Sequence, residues 1–202
     1  MIAIIDYGVG NVSSIKNMLK KSGHNAFLTN NHEEIRKADK LILPGIGAFD
    51  SCAKNLDEYN LREILHECAV NKGIPLLGVC VGMQLLAQSS EEGELKGLNF
   101  IPSIVKKFSF TNRDLKIPHM GWNTIMPQEQ NPIFKNLPDD ARFYFAHSYH
   151  IDCENEGNIG AVTEYGYKFA SSICKENIFG VQFHPEKSHR FGMKVLSNFA
   201  EL

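Results

Sequence analysis

Four short aliphatic runs in the first half of the chain, "MIAIID", "AFLTN", "KLILPG" and "IPLLGV", limit its fold more than any other feature. Each has the length of a strand rather than a helix. Three of them are apolar at nearly every position, so both of their faces must be covered. The stretches between them change period. Val12, Ile15, Met18 and Leu19 share one helical face, as do Leu61, Ile64, Leu65, Cys68 and Ala69 further on. Asn11 is expected to cap the first of these helices and Gly23 to stop it. "HEEIRKA" reads as a short helix, and Met83 to Gln88 as the start of another. Buried strands joined by crossover helices predict a three-layer α/β fold, with a mostly parallel central sheet and helices on both faces.

The pattern shifts after Gly93. "FIPSIVKKF", "MGWNTIM", "RFYFAHSYHI", "FASSICK" and "IFGVQF" are shorter and more alternating, and predict a smaller mixed or antiparallel part. Phe191, Val195, Leu196 and Phe199 predict a closing helix. With no internal repeat or linker, residues 1–202 are expected to form one domain.

A net charge of −2 gives no reason to expect nucleic acid or an anionic membrane as partner. No apolar run approaches the roughly 20 residues of a membrane span. The start of the chain lacks a basic, signal-like leader, and the five cysteines (52, 68, 80, 153, 174) form no CxxC pair. A reducing, cytoplasmic location is therefore expected. His147 and His150 lack companion ligands, so no metal is expected.

In a parallel sheet, reactive groups collect beyond the carboxyl ends of the strands. "GVCVG" places Cys80 at such an end, where a strand turns at once into a helix. Gly78 and Gly82 remove the Cβ atoms that would crowd that corner. The following helix would aim free N–H groups at the sulfur, with the Val81 N–H foremost. From these residues alone Cys80 is either a buried structural thiol or a nucleophile.

A nucleophile needs a base and the base needs an orienter. "VQFHPEKS" offers His184 at a strand end, made extended by Pro185. Glu186 lies two positions on, where it would face the same way. "LPGIGAF" places Gly45 and Gly47 around Ile46, so that the backbone can offer an N–H to a developing oxyanion. An ordinary glycine-rich turn fits that stretch equally.

Together "PGIGAF", "GVCVGMQ" and "VQFHPEKS" resemble class I glutamine amidotransferase domains, and "IDYGVGNVSS", "PHMGWN" and "FAHSY" extend the likeness over nearly the whole chain. The resemblance implies Cys80 as nucleophile, His184 as base and acid, and Glu186 as orienter. It implies Ile46 and Val81 as oxyanion donors, with Gly47, Gln84, Ser148 and Tyr149 holding the substrate, L-glutamine. It implies no cofactor. It also implies a (β/α)8-barrel cyclase partner that receives the released ammonia, docking through His119, Met120, Gly121, Trp122 and Asn123. Trp122 as a core anchor remains the alternative. Two routes stay open for the ammonia, histidine biosynthesis or bacterial surface-sugar amination. A stand-alone cysteine hydrolase and a non-catalytic binding subunit are the more distant readings.

Overall fold

The computed structural model describes residues 1–111 and 114–202. Five parallel strands form one half of the large sheet: β1 (Ile2–Ile5), β2 (Ala26–Thr29), β3 (Lys40–Gly45), β4 (Leu76–Cys80) and, arriving last in sequence, Ile178–Val181. Their order is β2, β1, β3, β4 and then Ile178–Val181. Every residue of β1, β4 and the last strand is buried, as expected of strands covered on both sides. Helices α1 (Val12–Lys21), α2 (His32–Arg36), α3 (Phe49–Glu58) and α4 (Leu61–Leu65) make the crossovers, and α4 runs on as a π-helical turn, His66–Asn71. The closing helix spans His189–Ala200. None of the described helices is long and apolar enough to cross a membrane.

The other half of the sheet is mixed. It contains β5 (Ser89–Ser90), β6 (Ser103–Lys107), β8 (Met126–Pro127), β10 (Tyr149–Cys153), β11 (Ile159–Tyr165) and β12 (Tyr167–Lys175), while Ile178–Val181 is β13. Strands β7 (His119–Thr124) and β9 (Arg142–His147) form a separate antiparallel pair.

Several local expectations need correction. The Asn11 side chain makes no cap hydrogen bond; its carbonyl alone accepts, from the N–H groups of Ser14 and Ile15. The helix after Cys80 is a single turn, α5 (Val81–Gln84), because the chain bends at Leu85 to reach β5. Helix α3 and strand β11 escaped the periodicity reading. "RFYFAHSYHI" is not one strand. It divides at Ser148 into β9 and β10, which belong to different sheets.

Candidate active site

Strands β3, β4 and β13 lie side by side with their carboxyl ends together. Gly45 pairs with Cys80 across β3 and β4, and Val181 with Val79 across β13 and β4. Cys80 sits at the β4–α5 corner with φ 56° and ψ −115°, a conformation that costs an L-residue energy and persists only where packing enforces it. The glycines allow that packing. A Cβ on Gly78 would come within 2.7 Å of the Gly82 carbonyl oxygen, and one on Gly82 would overlap the Leu43 carbonyl of β3. The thiol is buried, and Gln182 Nε2 donates to its sulfur over 3.8 Å.

Strand β13 delivers His184 to the same place. Its N–H donates to the Tyr144 carbonyl at 2.9 Å, and its carbonyl accepts from Ser188 Oγ at 2.6 Å. Phe183 stacks on Phe143 of β9 with centroids 4.1 Å apart, which fixes the strand end from the core side. His184 is extended, as the following proline requires. Glu186, however, does not reach it by strand alternation. Residues Pro185–Lys187 form a 3-10 turn that folds the carboxylate back, so that Glu186 Oε1 lies 2.9 Å from His184 Nδ1.

Both members of that pair are buried. Burial works against the imidazolium, but hydrogen bonds and charge from Cys80 and Glu186 outweigh it and raise the His184 pKa above its ordinary value. The imidazole thus faces the sulfur on one side and the carboxylate on the other. Among the described residues, Glu186 Oε2 has no partner, so the carboxylate relies on His184 for its compensation.

A cavity of about 250 Å³ opens on Cys80. Gly47, Val81, Gln84, Ser148 and Tyr149 line it, and Met120 joins them. Four further lining residues, Glu92, Pro118, Ala146 and His147, were not assigned to this site from sequence. Gln182 was missed as well, although its place two residues before His184 puts the two side chains on one face of an extended segment. Gly47 is in the left-handed region (φ +87°), and the neighbouring Ile46 carbonyl accepts from Cys52 Sγ at 3.4 Å.

The proposed docking edge is only half available. Along β7 the side chains alternate: Met120 and Trp122 are 64% and 46% exposed, whereas His119 is buried. Asn123 turns inward to His119 and to the Glu164 carbonyl. Gly121 is partly covered. Trp122 is no core anchor; it stacks on His189 at 5.4 Å beside a surface cavity of about 460 Å³ that Arg142, Arg190 and Phe191 complete.

A doubly wound α/β sheet with a strained cysteine at one strand end, and a His–Glu pair at the next, defines a thiol-dependent hydrolase of the acyl-transfer type. The chain belongs to the class-I glutamine amidotransferase family, whose model matches residues 3–202. It is 56% identical over 199 residues to imidazole glycerol phosphate synthase subunit HisH 2 of Methanococcus maripaludis, covering 98% of each chain. With the HisH subunit of Leptospira borgpetersenii it shares 46% identity over the full length of both. Among solved structures, a chain of PurLQS from Thermotoga maritima superposes with a TM-score of 0.71 at 16% identity, over 99% of this chain and 97% of that one. At that identity the likeness bears on the fold alone.

Proposed function

We propose that this chain is the glutaminase subunit of an imidazole glycerol phosphate synthase, releasing ammonia from L-glutamine for histidine biosynthesis. The observation that carries this reading is the convergence of Cys80 and the His184–Glu186 pair at the ends of adjacent strands, over a cavity the size of a small amino acid. The names of the full-length relatives supply the pathway.

The chemistry follows from the placement. Cys80 gives its thiol proton to His184 and attacks the side-chain carboxamide of glutamine. The resulting oxyanion is held by backbone N–H groups at Val81 and Ile46, worth about 3–4 kcal/mol for each well-aimed donor. His184 gives its proton to the departing ammonia and leaves a γ-glutamyl thioester. The same histidine then takes a proton from water, and glutamate leaves. Glu186 keeps the Nδ1 proton in place throughout, which points Nε2 at the reacting atoms. Gly47, Gln84, Glu92 and the Ser148–Tyr149 backbone form the walls that hold the amino-acid end.

Ammonia set free in water would protonate and lose its nucleophilicity, so a second chain is expected to receive it. The exposed apolar side chains around the cavity favour such a contact: Met120 lines it, and Ile46 adjoins Gly47 on its rim. That second chain is the (β/α)8-barrel cyclase, converting N1-(5-phosphoribulosyl)-formimino-AICAR-phosphate to imidazole glycerol phosphate and AICAR. The five free cysteines fit a reducing cytoplasm.

The test is glutamate release from glutamine, alone and with the cyclase and its substrate. Cys80→Ala should lose glutamine hydrolysis by at least about a thousandfold while the complex still uses added ammonium salt. Hydrolysis that survived this change would refute the assignment.

A further inference from the structure

The histidine that lines the cavity is not the one that carries the chemistry. We infer that His147 and His119 are positioning residues of the glutamine cavity, a proton-ordered ring pair that locks the Tyr149 carbonyl and, through it, the amide of Gln84. The inference rests on the glutaminase reading above and deepens it.

The order of protons is dictated by the two ends of the chain of contacts. The Tyr149 carbonyl can only accept, so His147 Nδ1, 2.7 Å away, must carry a hydrogen. His147 Nε2 then accepts, and His119 Nδ1 lies 3.0 Å from it as donor. His119 Nε2 is left as an acceptor for Asn123 Nδ2 at 3.2 Å. The remaining proton of that amide goes to the Glu164 carbonyl at 3.0 Å, and Asn123 Oδ1 accepts from the Thr124 N–H at 2.8 Å. Every donor meets an acceptor only if both rings are neutral and both hold their proton on Nδ1.

The surroundings enforce that state. His119 is stacked between Phe145 at 4.7 Å and Tyr165 at 4.1 Å. His147 packs against Phe108 and Phe169 at 5.2 and 5.3 Å. Burial pushes His147 down to about 3 and His119 down to about 4, so neither ring charges near neutral pH.

The locked carbonyl bears on the cavity directly. Tyr149 O also accepts from Gln84 Nε2 at 3.2 Å, and the second proton of that amide goes to Gln182 Oε1 at 3.0 Å. With both its protons engaged, Gln84 can show a substrate only its oxygen, an acceptor suited to the ammonium of glutamine. Gln182 in turn donates to Cys80 Sγ. Without the His147 bond, the carbonyl that orients Gln84 loses its side-chain anchor.

Two side-chain replacements separate this role from mere filling of space. In His147→Asn the amide nitrogen falls near the Nδ1 position and can still serve Tyr149. In His147→Gln the amide falls near Nε2, where its oxygen can still accept from His119 Nδ1 while Tyr149 loses its donor. Steady-state glutaminase assays should show KM for glutamine raised about tenfold or more in His147→Gln, with kcat less affected, and within about threefold of wild type in His147→Asn. Equal losses in the two variants, or a loss confined to kcat, would overturn the inference. Nitrogen-15 NMR of the wild-type imidazoles needs no variant to fold. It should show two neutral rings protonated on Nδ1, and an Nε2–H signal from either ring would defeat the proposal. If the tautomers are as assigned but wild type neither binds nor hydrolyses glutamine, the glutaminase reading fails, and the cavity role with it.

Discussion

Cys80 holds backbone angles that only glycine adopts without penalty, and under the proposed glutaminase chemistry a side chain is kept there because the thiol is needed. This gives an unusual stability ranking. Cys80→Gly should be more stable than Cys80→Ala by about 1–2 kcal/mol, since both lose the thiol but only alanine keeps the strained Cβ. Paired thermal melts decide it; alanine melting higher would mean that the corner carries no strain. Gly82 makes the complementary case. An added methyl would drive into the Leu43 carbonyl, a rigid backbone atom of β3, so Gly82→Ala should cost about 2–3 kcal/mol and displace Cys80. A denaturant titration reads the first effect and the glutaminase rate reads the second.

At the scale of elements, β7 shows how one strand serves two surfaces. Its inward residues, His119 and Asn123, belong to the ring pair behind the cavity, while Met120 and Trp122 face out. Trp122→Ala should therefore change stability by less than about 1 kcal/mol. The same variant should cut cyclase-stimulated glutaminase activity about tenfold, in keeping with an exposed aromatic anchor. Melting curves and the stimulated rate, measured on one preparation, separate these effects; a large loss of stability would return Trp122 to the core. Sequence periodicity located β7 but could not tell which of its faces was free. That depends on the rings of Phe145 and Tyr165, which stack on the inward His119. Ser148 is a similar case. "RFYFAHSYHI" has the composition of one long strand, yet the turn at Ser148 sends its halves into two sheets and so builds a wall of the cavity.

Across the whole molecule, three buried histidines set the acid limit of stability. Burial lowers the pKa of His147 to about 3 and of His119 to about 4, and lowers that of His150 as well. Above about pH 6.5 neither the folded nor the unfolded chain protonates these rings. Below it the unfolded chain binds protons that the folded one refuses, so stability falls as pH drops toward 4 and 3. Between about pH 6.5 and pH 5 the loss reaches up to about 2 kcal/mol for each of His119 and His147. His184 has the opposite sign. Its raised pKa contributes stability that is complete below its unfolded value and is lost as pH rises through the folded one. A melting temperature lower by about 5–10 °C at about pH 5 than near neutrality is expected, with a shallower dependence in His147→Asn. A flat profile would show that the rings protonate freely in the fold.

The parallel half of the fold and the corner at Cys80 were legible because each rests on a local rule, whereas the roles of Cys80, His184 and Glu186 came from the family resemblance. Continuous aliphatic runs specify strands buried on both faces, glycines around Cys80 specify a sharp corner, and a proline fixes the backbone of the residue before it. Helix α3, the length of α5, the 3-10 turn that brings Glu186 to His184, and the inward face of β7 were not legible. In those places propensity and spacing permit several conformations, and contacts between residues distant in sequence choose among them. The chain on its own therefore determined which groups could react and in what order the strands would carry them. Only the tertiary structure decided how Glu186 folds back onto His184 and which histidines stand behind the cavity, because burial and hydrogen-bond partners are supplied by segments brought together in folding.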